Sequence, residues 1–426
     1  MRTLEVYLGD ELVGHLRETR RGARFAYTPE VVERYPGSPV LSLTLPAKSR
    51  PFGEATTRNW FEGLLPEGRR RDEVCRNLGI DTNDWVGLLA EIGWECAGAV
   101  KVIPEGEAVL HEAGYTPLPS EALATRLAAL GKNEPRPQVG PYRMSLDGFQ
   151  NKLVVCMPRL KDGGGILTAA DLGEVFLPGG DAASTHILKP EDTGNHPGAA
   201  EGEAWALMAA ASAARSSKAA LLLLDGVSPT LAVERFDRAG DNWPYGVERI
   251  HQEDACQALN LPSFRKYARE GGPKGDDPTY RAIADLLRRF AKRPAEELAE
   301  LLRQLVVNLS LGNWDAHAKN IAFLFERPMV ATLAPMYDLV PVAEIEPRTD
   351  VLSLRVAGKL DPSALTSSDL VEEAHGWGMD ADEAGAVIGE TLSGLEEGLS
   401  AAARSYPAAA ERHEDASRER IARLRG

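Results

Sequence analysis

Apolar and polar residues alternate in short runs through the first half of the chain, and helical spacing of apolar residues takes over in the second. Leu4-Glu-Val-Tyr-Leu8, Glu11-Leu-Val-Gly-His15 and Phe25-Ala-Tyr27 have strand composition, and Gly9-Asp10 suits a tight turn between the first two. A polar stretch with Arg69-Arg-Arg71 follows, then Trp85 to Ala90, which predicts a buried helix capped by Asp81 or Thr82. Glu121 to Leu130 reads as a helix between Pro-rich flanks. Lys152 to Cys156, Glu174 to Leu177 and Thr185 to Lys189 predict further strands, the last stopped by Pro190. A helix over Ala204 to Ala214 comes next, then strands at Leu221 to Leu224 and Thr230 to Phe236, separated by Asp225-Gly226. Beyond residue 250 the pattern is mainly helical: Thr279 to Ala291, Pro294 to Leu311, and 368 to the end, where Asp380-x-x-Glu383 has the form of a capping box. Within that region Ile321 to Phe325 and Val330 to Ala334 read as a hairpin about the turn-prone Glu326-Arg-Pro328.

This layout gives four segments: an N-terminal subdomain over 1–105, a linker with a helix over 106–137, a strand-rich part over 138–240 and a helical lobe over 241–426. With 426 residues and 43% hydrophobic content the chain can bury one large core or two to three smaller ones. No apolar run reaches the roughly 18 residues of a membrane span. The start lacks a secretory pattern, and four scattered cysteines without metal-type spacing read as reduced thiols, so a cytoplasmic protein is expected. A formal net charge of −15 argues against autonomous binding to DNA or anionic membranes. No internal repeat is present.

The candidate chemistry lies just past the changeover from strands to helices. Asp315-Ala-His-Ala-Lys-Asn320 is followed, after the hairpin, by Tyr337-Asp338. An Asp, an Asn five residues on and a second Asp is the order phosphoryl transfer requires: one carboxylate for the attacking hydroxyl, then an amide and a carboxylate for Mg²⁺. Folding the hairpin would bring Asn320 and Asp338 to one cation. His317, in the same polar cluster, reads as a structural histidine rather than an acid–base group. Three earlier segments keep the kinase order. Ser145-Leu-Asp-Gly-Phe-Gln-Asn-Lys152 is a glycine-containing loop before a strand, able to lay backbone N–H groups and Lys152 against phosphates. Lys189 ends a strand ahead of a helix bearing Glu201 and Glu203, and Glu203 is the expected ion-pair partner. Val233-Glu-Arg-Phe-Asp-Arg238 closes the strand-rich half, where backbone can meet an adenine edge and Phe236 its face.

Taken together these segments resemble the HipA family of kinase toxins from bacterial toxin–antitoxin modules. Glu91 to Val100, Thr185 to Pro190 and His251 to Pro262 carry the likeness as well. The resemblance implies an α+β, two-lobed protein-kinase-like fold related to phosphoinositide kinases, with a strand-rich N-terminal lobe, an extra N-terminal subdomain and an all-helical C-terminal lobe. It implies a serine/threonine protein kinase using ATP and Mg²⁺, with Asp315 catalytic and Asn320 and Asp338 on the metal. The implied ATP contacts run through Asp147, Gly148, Phe149, Gln150, Asn151 and Lys152, then Lys189, Glu234, Arg235 and Phe236. They continue with His317, Ala318, Lys319, Asn320, Tyr337 and Asp338. Ser145 matches the family's autophosphorylated serine. The chain departs from the usual loop at Asp147, where the residue is normally small, and at the bulky Phe149. Implied partners are a HipB-like DNA-binding antitoxin, which alone brings DNA, and a protein substrate of the glutamyl-tRNA synthetase type whose modification arrests growth. Two other classes share the Asp…Asn…Asp order: a small-molecule or lipid kinase, and a catalytically silent nucleotide-binding partner of a repressor.

Overall fold

The computed structural model describes residues 1–107, 113–131, 152–194, 196–240, 242–269, 277–326, 330–345 and 350–426. Thr3–Leu8, Glu11–Thr19 and Gly22–Tyr27 pair antiparallel, and Val100–Pro104 joins the free edge of the first strand. Leu8 pairs with Glu11, so Gly9-Asp10 is the turn, with Gly9 at φ 63° where a side chain would be strained. The inward residues of this sheet, among them Leu4, Val6, Leu16 and Phe25, close a core with Trp60, Phe61, Trp85 and Leu89. The helix Trp85–Ile92 is buried as its apolar run requires. Its cap is Asp84 rather than Asp81 or Thr82, because only the residue directly before the helix brings a carboxylate to the third helical N–H, here Gly87 at 2.8 Å.

The next lobe is a five-stranded sheet in the order Leu153–Val155, His186–Pro190, Thr230–Glu234, Ala219–Leu222, Ile166–Leu167. All pairs are antiparallel except the last. Strand periodicity sorts its side chains cleanly. Leu221, Leu231 and Val233 face the helix Ala199–Ala210, whereas Leu188, Leu222 and Ala232 face the opposite way. The opposite face is covered by Leu123, Leu127 and Leu130 of the helix Ser120–Gly131, which sequence alone assigns to a linker. Their i, i+4, i+7 spacing is a stripe made for a sheet. The helix Ala199–Ala210 starts five residues before the predicted position, after Gly198 at φ 88°, and so takes in both Glu201 and Glu203.

The second lobe holds the helices Tyr280–Phe290, Pro294–Ser310, Ser367–Gly376, Ala381–Ser405 and Pro407–Arg425. Asp380 caps the longest of these through Asp382 N and Glu383 N. This lobe is not all-helical: Ala322–Glu326 and Val330–Leu333 form the predicted hairpin, and His251–Asp254 adds a third strand to it. Phe323, Phe325, Ala331 and Leu333 point from this small sheet into the helical core, which is why it folds inside the lobe. Among the described residues no helix is long and apolar enough to cross a membrane.

Buried charge fastens the N-terminal subdomain to the junction of the lobes. Glu95 accepts from Arg235 and Arg238 at 2.8 Å and from Arg249 at 2.7 Å, and Asp237 holds Arg235 at 2.7 Å and the Gly98 N–H at 2.7 Å. Desolvation alone would raise the Glu95 carboxyl, but the three guanidiniums outweigh it and hold it well below the usual carboxylate range. A second tie is Glu253, which accepts from Leu43 N at 2.8 Å and Trp60 Nε1 at 2.9 Å. Its donors are neutral, so burial wins and pushes its carboxyl up to about 7.

Two outcomes follow. Glu95→Gln leaves three buried guanidiniums short of a counter-charge and is expected to cost roughly 3–5 kcal/mol of unfolding free energy, read from the urea midpoint. Glu253 binds its proton more tightly folded (about 7) than unfolded. Its contribution is therefore full below about pH 4.3 and is lost as pH rises through 7, a decline of roughly 3–4 kcal/mol. Urea titrations between pH 4.5 and 8 should show that slope, and Glu253→Gln should flatten it.

Candidate active site

The catalytic-loop candidate hangs from the end of the helix Pro294–Ser310. Gly312, at φ 71°, turns the chain, and a Cβ there would lie 2.8 Å from Ala343 and 2.9 Å from the Arg420 guanidinium. Arg420 reaches in from the last helix to donate to the Ser310 carbonyl at 2.9 Å, satisfying an acceptor that the helix end leaves over. Asn313 then ties back to Asn308, Nδ2 to Oδ1, at 2.8 Å. The loop closes on itself: His317 N donates to the Asp315 carbonyl at 2.7 Å, Asn320 N to the His317 carbonyl at 2.8 Å, and Asn320 Nδ2 to the Asp315 carbonyl at 3.2 Å. With Nδ2 engaged in this way, the amide oxygen of Asn320 lies on the other arm, the arm a hard cation would use.

Lys189 sits where both lobes meet. Its ammonium is 2.9 Å from Glu203 and 2.6 Å from Asp338. Strand His186–Pro190 supplies the cation, helix Ala199–Ala210 one carboxylate, and the segment after the hairpin the other. Burial disfavours the Lys189 charge, yet Asp338 and Glu203 outweigh it and raise its pKa. The two carboxylates then divide. Desolvation would raise Asp338, but Lys189 and Lys152 hold it below the ordinary range, whereas Glu203 is deeper and is pushed up by burial. Asp338 keeps 43% of its side chain exposed and has φ 54°, a left-handed backbone that non-glycine residues adopt at a cost of order 1 kcal/mol. The residue before it is anchored: Tyr337 donates from its hydroxyl to the Lys319 carbonyl at 2.7 Å and packs on Phe236 with centroids 5.2 Å apart.

Asp315 belongs to the same electrostatic neighbourhood. Burial, with a contribution from the Asp338 charge, raises its carboxyl, and the Tyr267 hydroxyl, Lys266 and Ser353 work against that rise. His317 is buried with its ring edge-on to Tyr267 at 5.1 Å; burial and Lys266 push it down to about 3, so it stands neutral.

Several candidate side chains point elsewhere. Glu234 gives its carboxylate to Arg159 at 2.7 Å and Leu160 N at 3.1 Å. Arg235 is committed to Glu95 and Asp237, and Lys319 to Asp254 at 2.7 Å and the Gly63 carbonyl at 3.2 Å. Ala318 contributes a backbone N–H to the Lys266 carbonyl at 3.1 Å. Lys152 is buried and close enough to lower Asp338. Ser145, Asp147, Gly148, Phe149, Gln150 and Asn151 lie outside the described residues. Tyr267, Lys266 and Ser353 carry no motif that marks them in the sequence. Each approaches Asp315 from a segment at least 38 residues away, and no local spacing marks such a contact.

The described residues hold no group of three or more His, Cys, Asp or Glu arranged for a metal ion. An Asp–Asn pair still fits Mg²⁺ of the nucleotide-bound kind, which takes one or two protein oxygens and fills the rest from phosphates and water.

A strand lysine bound to a helix carboxylate in one lobe, and Asp315, Asn320 and Asp338 in the other, define a two-lobed protein of the protein-kinase-like class. The model of the HipA N-terminal domain matches residues 4–103, and that of the HipA-like C-terminal domain matches residues 144–399. The chain belongs to the HipA family. It is 33% identical over 392 residues to a putative kinase, Y4mE, of Sinorhizobium fredii, covering 90% of this chain and 86% of that one. It is 28% identical to the serine/threonine-protein kinase toxin HipA of Shewanella oneidensis, covering 88% and 84%. The fold is similar to HipA in the Shewanella oneidensis complex of HipA, HipB and operator DNA, with a TM-score of 0.79, 23% identity and coverage of 99% and 96%.

Proposed function

We propose that the chain is an ATP-dependent serine/threonine protein kinase, the toxin of a HipBA-type module. The observation that carries this is the Lys189 ammonium bridging Glu203 and Asp338, with Asp315 in the field of the same carboxylate. The two carboxylates come from both sides of the lobe junction, and Asp338 stays 43% exposed on a left-handed backbone. ATP supplies the γ-phosphoryl group, and Mg²⁺ spreads the phosphate charge. Lys189 and Lys152 would neutralise phosphate oxygens, and Asp338 and Asn320 would hold the cation. Asp315 orients the acceptor hydroxyl and takes its proton on a carboxylate oxygen. Phe236, beside Tyr337, offers the adenine an aromatic wall.

The finer reading rests on the family. A HipB-like DNA-binding protein holds the kinase and represses its operon, a translation enzyme of the glutamyl-tRNA synthetase type is the target, and its phosphorylation arrests growth. Phosphorylation at Ser145 adds about −2 charge to the loop meant to cradle phosphates, and so switches the enzyme off.

With radiolabelled ATP and Mg²⁺ the chain should label itself at Ser145 and label an added target. Asp315→Ala or Asp338→Ala should cut transfer by about 10³-fold or more. An unchanged rate in either variant removes that residue from its role, and no label at all in the parent chain returns the protein to a silent binding partner.

A further inference from the structure

The final helix, Pro407–Arg425, supplies no candidate for the chemistry, yet two of its side chains converge on one carboxylate behind the site. His413 and Arg420 stand two turns apart on one face of the helix, and both are buried. Arg420 Nη1 donates to Glu344 Oε1 at 2.6 Å, and His413 Nδ1 lies 3.3 Å from Glu344 Oε2. Each oxygen of the carboxylate is thus spent on a different residue of the same helix. Glu344 lies on the short helix Val342–Ile345, in the segment that leaves Asp338.

The same two side chains touch the other working parts. Arg420 Nε donates to the Ser310 carbonyl, and its guanidinium closes over Gly312, on the chain that leads to Asp315. Directly beside it, Ala343 N donates to the Gly312 carbonyl at 3.1 Å. One guanidinium therefore spans the approach to Asp315 and the departure from Asp338. His413 packs on the helix that carries Glu203: its ring lies 5.7 Å from Trp205. Gly202, the neighbour of Glu203, faces the same ring and Pro341, and a Cβ there would come within 3.2 Å of His413 Nε2 and 3.7 Å of the proline. Ala409 N adds a bond to Glu201 Oε1 at 3.3 Å.

We infer that Glu344, held by Arg420 and His413, is a positioning residue that keeps Asp338 in register with Asp315 and with the Lys189–Glu203 pair. This rests on the kinase reading and adds to it a group that touches neither nucleotide nor acceptor. Gly312 at φ 71° and Asp338 at φ 54° both bend the chain through the left-handed region, and the Glu344–Arg420 contact joins the two bent segments. A buried ion pair gains little net stability for the water it gives up, and its attested use is to fix one arrangement over others. Phosphoryl transfer needs such fixing, because a misplacement of about 1 Å can cost a hundredfold in rate.

The test follows self-labelling of the full chain against ATP concentration, which gives a limiting rate and a half-saturating ATP. Glu344→Gln keeps the shape and removes the charge; it should lower the limiting rate by about tenfold or more and move half-saturating ATP less than about threefold. Arg420→Gln should do the same, and the two together should lose no more than the worse of them, since both break one contact. Leu424→Ala, which opens a cavity in the core at the end of the same helix, is the control. With its urea midpoint lowered as far as that of Glu344→Gln or further, its limiting rate should stay within about twofold of the parent. A parental rate in folded Glu344→Gln, a change confined to half-saturating ATP, losses that multiply in the double variant, or an equal loss in Leu424→Ala overturns the positioning role. Labelling of the parent chain then keeps the kinase reading standing. A parent chain that labels neither itself nor an added protein takes both readings down together.

Discussion

A buried ammonium cannot stay charged without a counter-charge, and at Lys189 that requirement is met from both lobes at once. Glu203 comes from the helix packed on the sheet, Asp338 from the chain leaving the hairpin of the second lobe. Everything that sets their positions serves this meeting point. Gly198 at φ 88° starts the helix early enough to bring Glu203 over the strand. The bond from Ser217 N to the Met336 carbonyl, at 2.9 Å, pins the approach to Asp338, and Tyr337 closes it against Phe236. Among three coupled charges the lysine and the half-exposed Asp338 ionise readily, so the strain falls on the deeper Glu203.

Much of this was legible in the chain because it is local or ordered. Alternation placed the strands, and Gly9-Asp10 fixed the first turn. The pairing of Ala322–Glu326 with Val330–Leu333 follows from two apolar runs with a Pro between them. The Lys189–Glu203 pair could be named because it joins consecutive elements. Groups that act through space were not legible in the same way. Val233 to Arg238 was singled out by its chemistry, yet Arg235, Asp237 and Arg238 spend their side chains on Glu95 and Gly98, more than a hundred residues away. Both ends of that contact lie in family-like segments, Glu91 to Val100 and Val233 to Arg238, and nothing in their spacing says that they meet. Tyr267 shows the same limit: a lone tyrosine in a polar stretch has no period and no cap, and only the folded chain sets it on Asp315. The stripe Leu123, Leu127, Leu130 marks a helix but not the sheet it covers, since spacing gives a face and not its partner.

The N-terminal subdomain has its own core, yet it touches the working parts of the protein at separate places. Glu95 grips the segment joining the lobes, Gly63 accepts from Lys319 of the catalytic-loop candidate at 3.2 Å, and Glu67 pairs at 3.0 Å with Lys266, whose charge acts on Asp315. It braces the connecting segment and the loop together.

The Glu95 cluster makes the subdomain inseparable from the rest. Severing the chain near residue 105 would strip the remainder of the one carboxylate shared by Arg235, Arg238 and Arg249. The shortened protein would keep Asp237 and Asp181 beside those guanidiniums but would stand one buried carboxylate short where its lobes join.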